Sequence, residues 1–111
     1  MRIAAATAAT AAIALALAAP AHADQWEYVT ELDNHGVYYS NINDVIDTGK
    51  RVCSDLRQFH DANRGLMVGK LSGYPPKDAG FIMISATMHM CQDEYSEVHD
   101  WIYATINRNQ G

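Results

Sequence analysis

Cys53 and Cys91 are the only two thiols in a 111-residue chain. An even count in a short chain reads first as a disulfide. Closing a loop of about 38 residues would remove unfolded-state entropy worth roughly 4 kcal/mol in the chain-entropy picture. The rival reading is two free thiols that ligate a metal or catalyse, and no Cys-x-x-Cys spacing supports it. His89, Asp93, Glu97 and Asp100 recur at steps of four, four and three. A continuous helix would set that imidazole and those carboxylates on one face, a donor set for a divalent cation. They equally continue the polar stripe Asp78–Ser85, the wet side of a helix, so no metal and no cofactor is assigned. His89, Asp93 and Glu97 remain the residues to inspect for one. Met83, Met88 and Met90 offer soft sulfur ligands, but methionine is also an ordinary core filler.

Nucleophilic catalysis needs a nucleophile, a base and an orienting group in register. No Gly-x-Ser-x-Gly, His-Glu-x-x-His or phosphate-cradling glycine loop is present. His35 and His60 fall at helix ends, where the dipole favours a cation. The chain is therefore expected not to be an enzyme. Aromatic residues are a better lead, since Tyr and Trp are enriched in contact patches. Tyr38, Tyr39, Tyr95, Val98, Trp101 and Ile102 are the expected partner contacts.

Elements must position these groups, and the first stretch is a targeting segment. Arg2 precedes an apolar, alanine-rich run to Ala19, Pro20 breaks it, and Ala21-His22-Ala23 offers small residues for cleavage. Residues 1–23 read as a secretory signal peptide; the run is short and its alanines are too weakly apolar for an anchor. Removing 23 residues from 111 leaves 88, one small domain over residues 24–111. A core of that size is marginal and a covalent staple is useful. Loss of Arg2 takes the formal charge from −5 to −6. A scattered acidic surface disfavours nucleic acid, which needs clustered Lys and Arg. It also lacks a basic patch for anionic lipid, and no later stretch is long and apolar enough to span a bilayer.

Within the domain, Asp24–Asn34 reads as a helix with Trp26, Val29 and Leu32 inward, ended by Gly36 with Val37 packed back onto Leu32. Val37–Ser40 is an extended link. Asn41 or Asn43 caps the next helix, whose apolar side is Ile42, Val45, Ile46, Val52, Cys53, Leu56 and Phe59. Gly49 lies on that stripe, where close approach by another helix would justify it. His60–Tyr74, loosened by Gly65, Gly69 and Gly73, reads as a mobile connection with one or two turns of helix. Pro76 opens a largely apolar helix. The stripe Phe81, Ile84, Met88, Cys91, Tyr95, Val98, Ile102 keeps heptad steps. Residues 76–107 are thus one helix, or two with a bend near Asp93–Ser96, the second being commoner in small domains.

Three segments carry a resemblance: Gly36-Val37-Tyr38-Tyr39-Ser40, then Asp44 through Cys53, then Tyr74-Pro75-Pro76-Lys77-Asp78-Ala79-Gly80-Phe81. With the leader and the helix to Cys91, the set resembles an exported actinobacterial, chiefly mycobacterial, family called domain of unknown function 732. It covers Asp24–Cys91, a family-like core. The resemblance implies a small all-helical exported protein with its two cysteines bridged, and implies no activity. Family members usually carry Thr or Ser where this chain has Pro75, and Pro after the second cysteine where it has Gln92. The extension 92–111 is foreign to the family pattern.

The expected fold is all-α, a small bundle of four to five helices stapled by one disulfide. The expected function is a non-enzymatic binding module, secreted or at the cell envelope, with a protein or envelope partner or a homodimer through the C-terminal helix. The alternative is a carrier of a small apolar ligand or lipid, with Phe81, Met83, Met88 and Met90 lining a cavity between helices.

Overall fold

The computed structural model describes residues 24–110, with side chains through Arg108; the leader expected over Met1–Ala23 lies outside the described residues. Helix α1 (residues 24–34) ends as its sequence dictates. Gly36 takes a φ of 73° and donates to the Asp33 carbonyl, while Val37 N–H donates to the Leu32 carbonyl at 3.0 Å. That bond pair is a Schellman ending, and it buries Val37. The inward face is Tyr28, Val29 and Leu32; Trp26, expected inside, is 61 % exposed. Tyr28 takes the inward place because its hydroxyl finds the Val45 carbonyl at 2.7 Å.

Helix α2 (Ile42–Phe59) is capped by Asn41, whose side-chain oxygen accepts from the Asn43 and Asp44 N–H groups at 2.8 and 3.4 Å. Its buried stripe is Val45, Thr48, Gly49, Val52, Cys53 and Leu56. The approach at Gly49 is made by side chains, the Tyr28 ring and the Met90 methyl, rather than by a neighbouring backbone. Phe59, expected on the apolar side, is half exposed and lies under the Arg64 guanidinium, 3.6 Å from the ring centre.

Helix α3 (Ala62–Leu71) replaces the expected loose connection with nearly three turns. Asp61 caps it, and Ala62, Gly65 and Gly69 form its buried edge. A Cβ at Gly65 would stand 3.0 Å from Leu56 and Met83 side-chain atoms, and one at Gly69 would stand 2.9 Å from the Ala79 Cβ. Each glycine costs about 1 kcal/mol of helix propensity, and close packing against α2 and α4 offsets it.

Helix α4 (Pro76–His89) starts with Pro76 at its first turn and no side-chain cap from Pro75. Ala79, Ile82, Met83, Ser85, Ala86 and Thr87 are buried, so it is the central element. It does not run on through Cys91: of the two arrangements the heptad stripe allows, the chain takes the one with two helices. The break falls at Met90–Glu94, earlier than the expected bend. Cys91 leaves helical conformation at φ −144°, the Gln92 side chain donates to the Met88 carbonyl at 2.9 Å, and a 3₁₀ turn (Gln92–Glu94) redirects the chain. Cys91 is bonded to Cys53, their Cα atoms 5.8 Å apart, which fixes the break against α2. Helix α5 (Tyr95–Gln110) folds back, with Val98 fully buried and Trp101 and Ile102 packed on the same core. The fold is thus all-helical, and among the described residues no helix is long and apolar enough to cross a membrane.

Candidate functional site

Two helix-to-helix corners of this bundle have the same construction. Helix α3 ends as α1 does: Gly73 takes a φ of 102°, its N–H donates to the Lys70 carbonyl, and Tyr74 N–H donates to the Gly69 carbonyl. Each Schellman ending is followed by a short extended link bearing tyrosine, then by a helix with an aspartate in its first turn. In the first corner these are Tyr38, Tyr39 and Asp44; in the second they are Tyr74 and Asp78.

The corners meet at an open cleft of about 500 Å³. Its walls are the link residues Tyr38, Tyr39 and Ser40, the α2 residues Asp44, Thr48 and Arg51, and the segment Ser72–Pro75 with Asp78. Asp44, Thr48 and Arg51 are spaced at four and three, so one face of α2 forms the floor. Val37 beneath the first link is buried and anchors it, which turns Tyr38 outward with 77 % of its surface exposed. Tyr39 is oriented by its hydroxyl, which donates to an Asp33 carboxylate oxygen at 2.8 Å. That bond keeps the Tyr39 phenol protonated above the usual tyrosine range. Tyr74 is raised too, first by partial burial; the Thr48 hydroxyl and the Arg51 charge pull the other way. Thr48 donates its hydroxyl to the Asp44 carbonyl at 2.9 Å, a bond that fixes its rotamer.

The cleft gathers only two of the six expected contacts, Tyr38 and Tyr39. The others lie on α5 and serve largely as core. Val98 has no exposed surface, and the Trp101 indole N–H donates to the Asn63 side chain at 3.0 Å, which binds α5 to α3. Tyr95 edges a separate shallow recess with Met88 and Gln92. The α5 stripe therefore packs inward, because the break at Cys91 folds it back. Local sequence patterns do not bring Tyr74, Arg51, Asp44 and Asp78 together; the sign the two corners share is a helix-ending glycine with a tyrosine one or two residues on.

The expected metal face does not form, because the same break separates its members. His89 sits between carboxylates of α1, its Nε2 against Glu31 and its Nδ1 3.3 Å from Glu27. Asp93 accepts two 3.0 Å hydrogen bonds from Arg57, which hold its carboxyl below the usual carboxylate range. Glu97 lies on α5, and among the described residues no group of three His, Cys, Asp or Glu side chains is placed to hold a metal ion. The residues expected to line a carrier cavity also diverge. Phe81 stacks on His35 at 4.3 Å, Met83 is buried beside Gly65, Met88 edges the recess with Tyr95, and Met90 faces Gly49.

In comparisons with known proteins, the family described as "Protein of unknown function (DUF732)" matches residues 19–93. No curated protein and no solved structure matches the chain.

Proposed function

The chain belongs to that family of unknown function, and on this premise we propose that it is a non-enzymatic binding module whose contact site is the tyrosine-lined cleft. The observation that carries the reading is the convergence on one concavity of three segments, two adjacent in the chain and the third far along it. They are the same three segments that carry the family resemblance: 36–40, the first half of α2, and 74–78. A fixed fold presents there an exposed ring, Tyr38, left 77 % open by the described residues. Export to the cell envelope or beyond is part of the proposal, supported by the leader-like composition of residues 1–23 and by the Cys53–Cys91 bond, which suits an oxidising compartment.

A library of small polar-aromatic fragments, followed by amide chemical shifts, tests the site itself. Hits are expected to cluster on Tyr38, Thr48, Arg51 and Tyr74. Hits scattered over the surface, or gathered on the exposed end of α5, would remove the cleft from consideration. The carrier reading is weaker, since its four residues meet different neighbours: Phe81 the His35 ring, Met83 Gly65, Met88 the recess by Tyr95, and Met90 Gly49.

A further inference from the structure

We infer that the cleft takes an uncharged saccharide, stacked on Tyr38 and hydrogen-bonded by Asp44, Arg51 and Asp78. The inference rests on the cleft being the binding site and adds the class of ligand. A volume of about 500 Å³ falls within the range of small-molecule sites, roughly 300–1,000 Å³. The chemistry of the lining then discriminates among ligands.

Tyr38 offers a flat apolar face to solvent, and tyrosine rings pair apolar area with a polar edge at low entropic cost. Asp44 and Asp78 bring acceptors, and Arg51 brings donors. Among the described residues none of the three is held in an ion pair, unlike Arg57 with Asp93 or Arg64 with Asp55. Their hydrogen-bonding capacity therefore faces water until a ligand covers it. A ligand that leaves any of them covered and unpaired forfeits the cost of stripping its water.

That condition sorts the possibilities. A phosphate-like anion would satisfy Arg51 and be repelled by two carboxylates. An organic cation would satisfy the carboxylates and rings but strand Arg51. An alkyl chain would strand all three. A proline-rich peptide suits aromatic grooves, yet it has few N–H donors for Asp44 and Asp78. A saccharide ring has an apolar C–H patch for Tyr38, and each of its hydroxyls both donates and accepts. Of these classes it is the one that satisfies the ring, the guanidinium and both carboxylates.

The test is a titration of the disulfide-bonded chain with short neutral gluco-, galacto-, manno- and xylo-oligosaccharides, read by amide chemical shifts. Inorganic phosphate, tetramethylammonium chloride and a polyproline peptide are titrated in parallel. At least one oligosaccharide is expected to shift Tyr38, Thr48, Arg51 and Tyr74 saturably. Tyr38→Ala should weaken that binding by about ten-fold, the worth of one stacked ring, and Tyr38→Phe should retain it. Both changes are at an exposed side chain, and an unchanged spectrum away from the cleft verifies the fold. If the cleft responds to phosphate, ammonium or peptide and to no saccharide, the ligand class is wrong and the binding site stands. If no probe moves the cleft signals, both readings fall.

Discussion

Tyr28 shows what one side chain settles in this fold. Its ring is fully buried beside Gly49, where an added Cβ would meet it at 2.7 Å, and its hydroxyl donates to the Val45 carbonyl. Burial pushes the phenol's ionisation far above the ordinary value of 10.0. A raised folded-state pKa stabilises fully while the unfolded phenol is also protonated, and that stability is lost as pH climbs above about 10. Tyr28→Phe should lose about 1 kcal/mol at neutral pH with the hydrogen bond. It should also flatten the alkaline fall in stability, measured by urea unfolding between neutral pH and about pH 11. Equal alkaline slopes for the two proteins would refute the account. Helical periodicity favoured Trp26 over Tyr28 because three-residue steps looked regular. Each such step lags the helix by about 60°, so Trp26 drifts off the buried face. The Gly49 notch that accepts the Tyr28 ring is a tertiary fact that the local pattern does not contain.

At the scale of elements, glycine position decides whether a helix packs or loosens. Gly65 and Gly69 read as breakers because propensity is local, whereas their use is to admit Leu56, Met83 and Ala79 from two other helices. The full length of α3 was hidden for that reason, with one or two turns expected, while the α1 stop at Gly36–Val37 was legible because a Schellman ending is itself local. The α4–α5 break had no glycine or proline to announce it. It depends on the Gln92 side chain and on where the bond to Cys53 holds Cys91. Gly69 and Gly80, on adjoining helices, separate the two roles. Gly69→Ala must force its Cβ against the Ala79 Cβ and a Cα only 3.2 Å away, and should destabilise by about 1–3 kcal/mol. Gly80→Ala finds nothing within 4 Å and should gain up to about 1 kcal/mol of helix propensity. Urea midpoints moving in opposite directions would verify the assignment; a harmless Gly69→Ala would mean that α3 does not pack on α4 in this way.

The described part of the molecule is two like corners, each a glycine-ended helix, a tyrosine link and an aspartate-led helix, with the disulfide and α5 completing the bundle. The candidate cleft was hidden in the sequence because its walls come from segments some 30 residues apart, although each corner's local signs were readable. The extension beyond the family-like core is foreign to the family pattern, and its stripe allows a partner helix. Yet Val98 is fully buried, Trp101 and Ile102 pack on the core, and Glu94 is buried with its carboxylate 3.2 Å from the His60 ring. A dimer through α5 would be left with Tyr103 and Ile106, the large apolar side chains that the helix exposes. Truncation after Gln92 decides between the two roles. Burying Val98 alone is worth about 1.5–3 kcal/mol, a large share of the stability of so small a domain. The disulfide-bonded truncated chain should therefore melt at least about 6 °C below the full chain, given 4–8 °C per kcal/mol at this size. Light scattering should find the full chain monomeric. If instead the truncated chain melts like the full one and only the full chain dimerises, α5 is an association helix and its packing on this core is incidental.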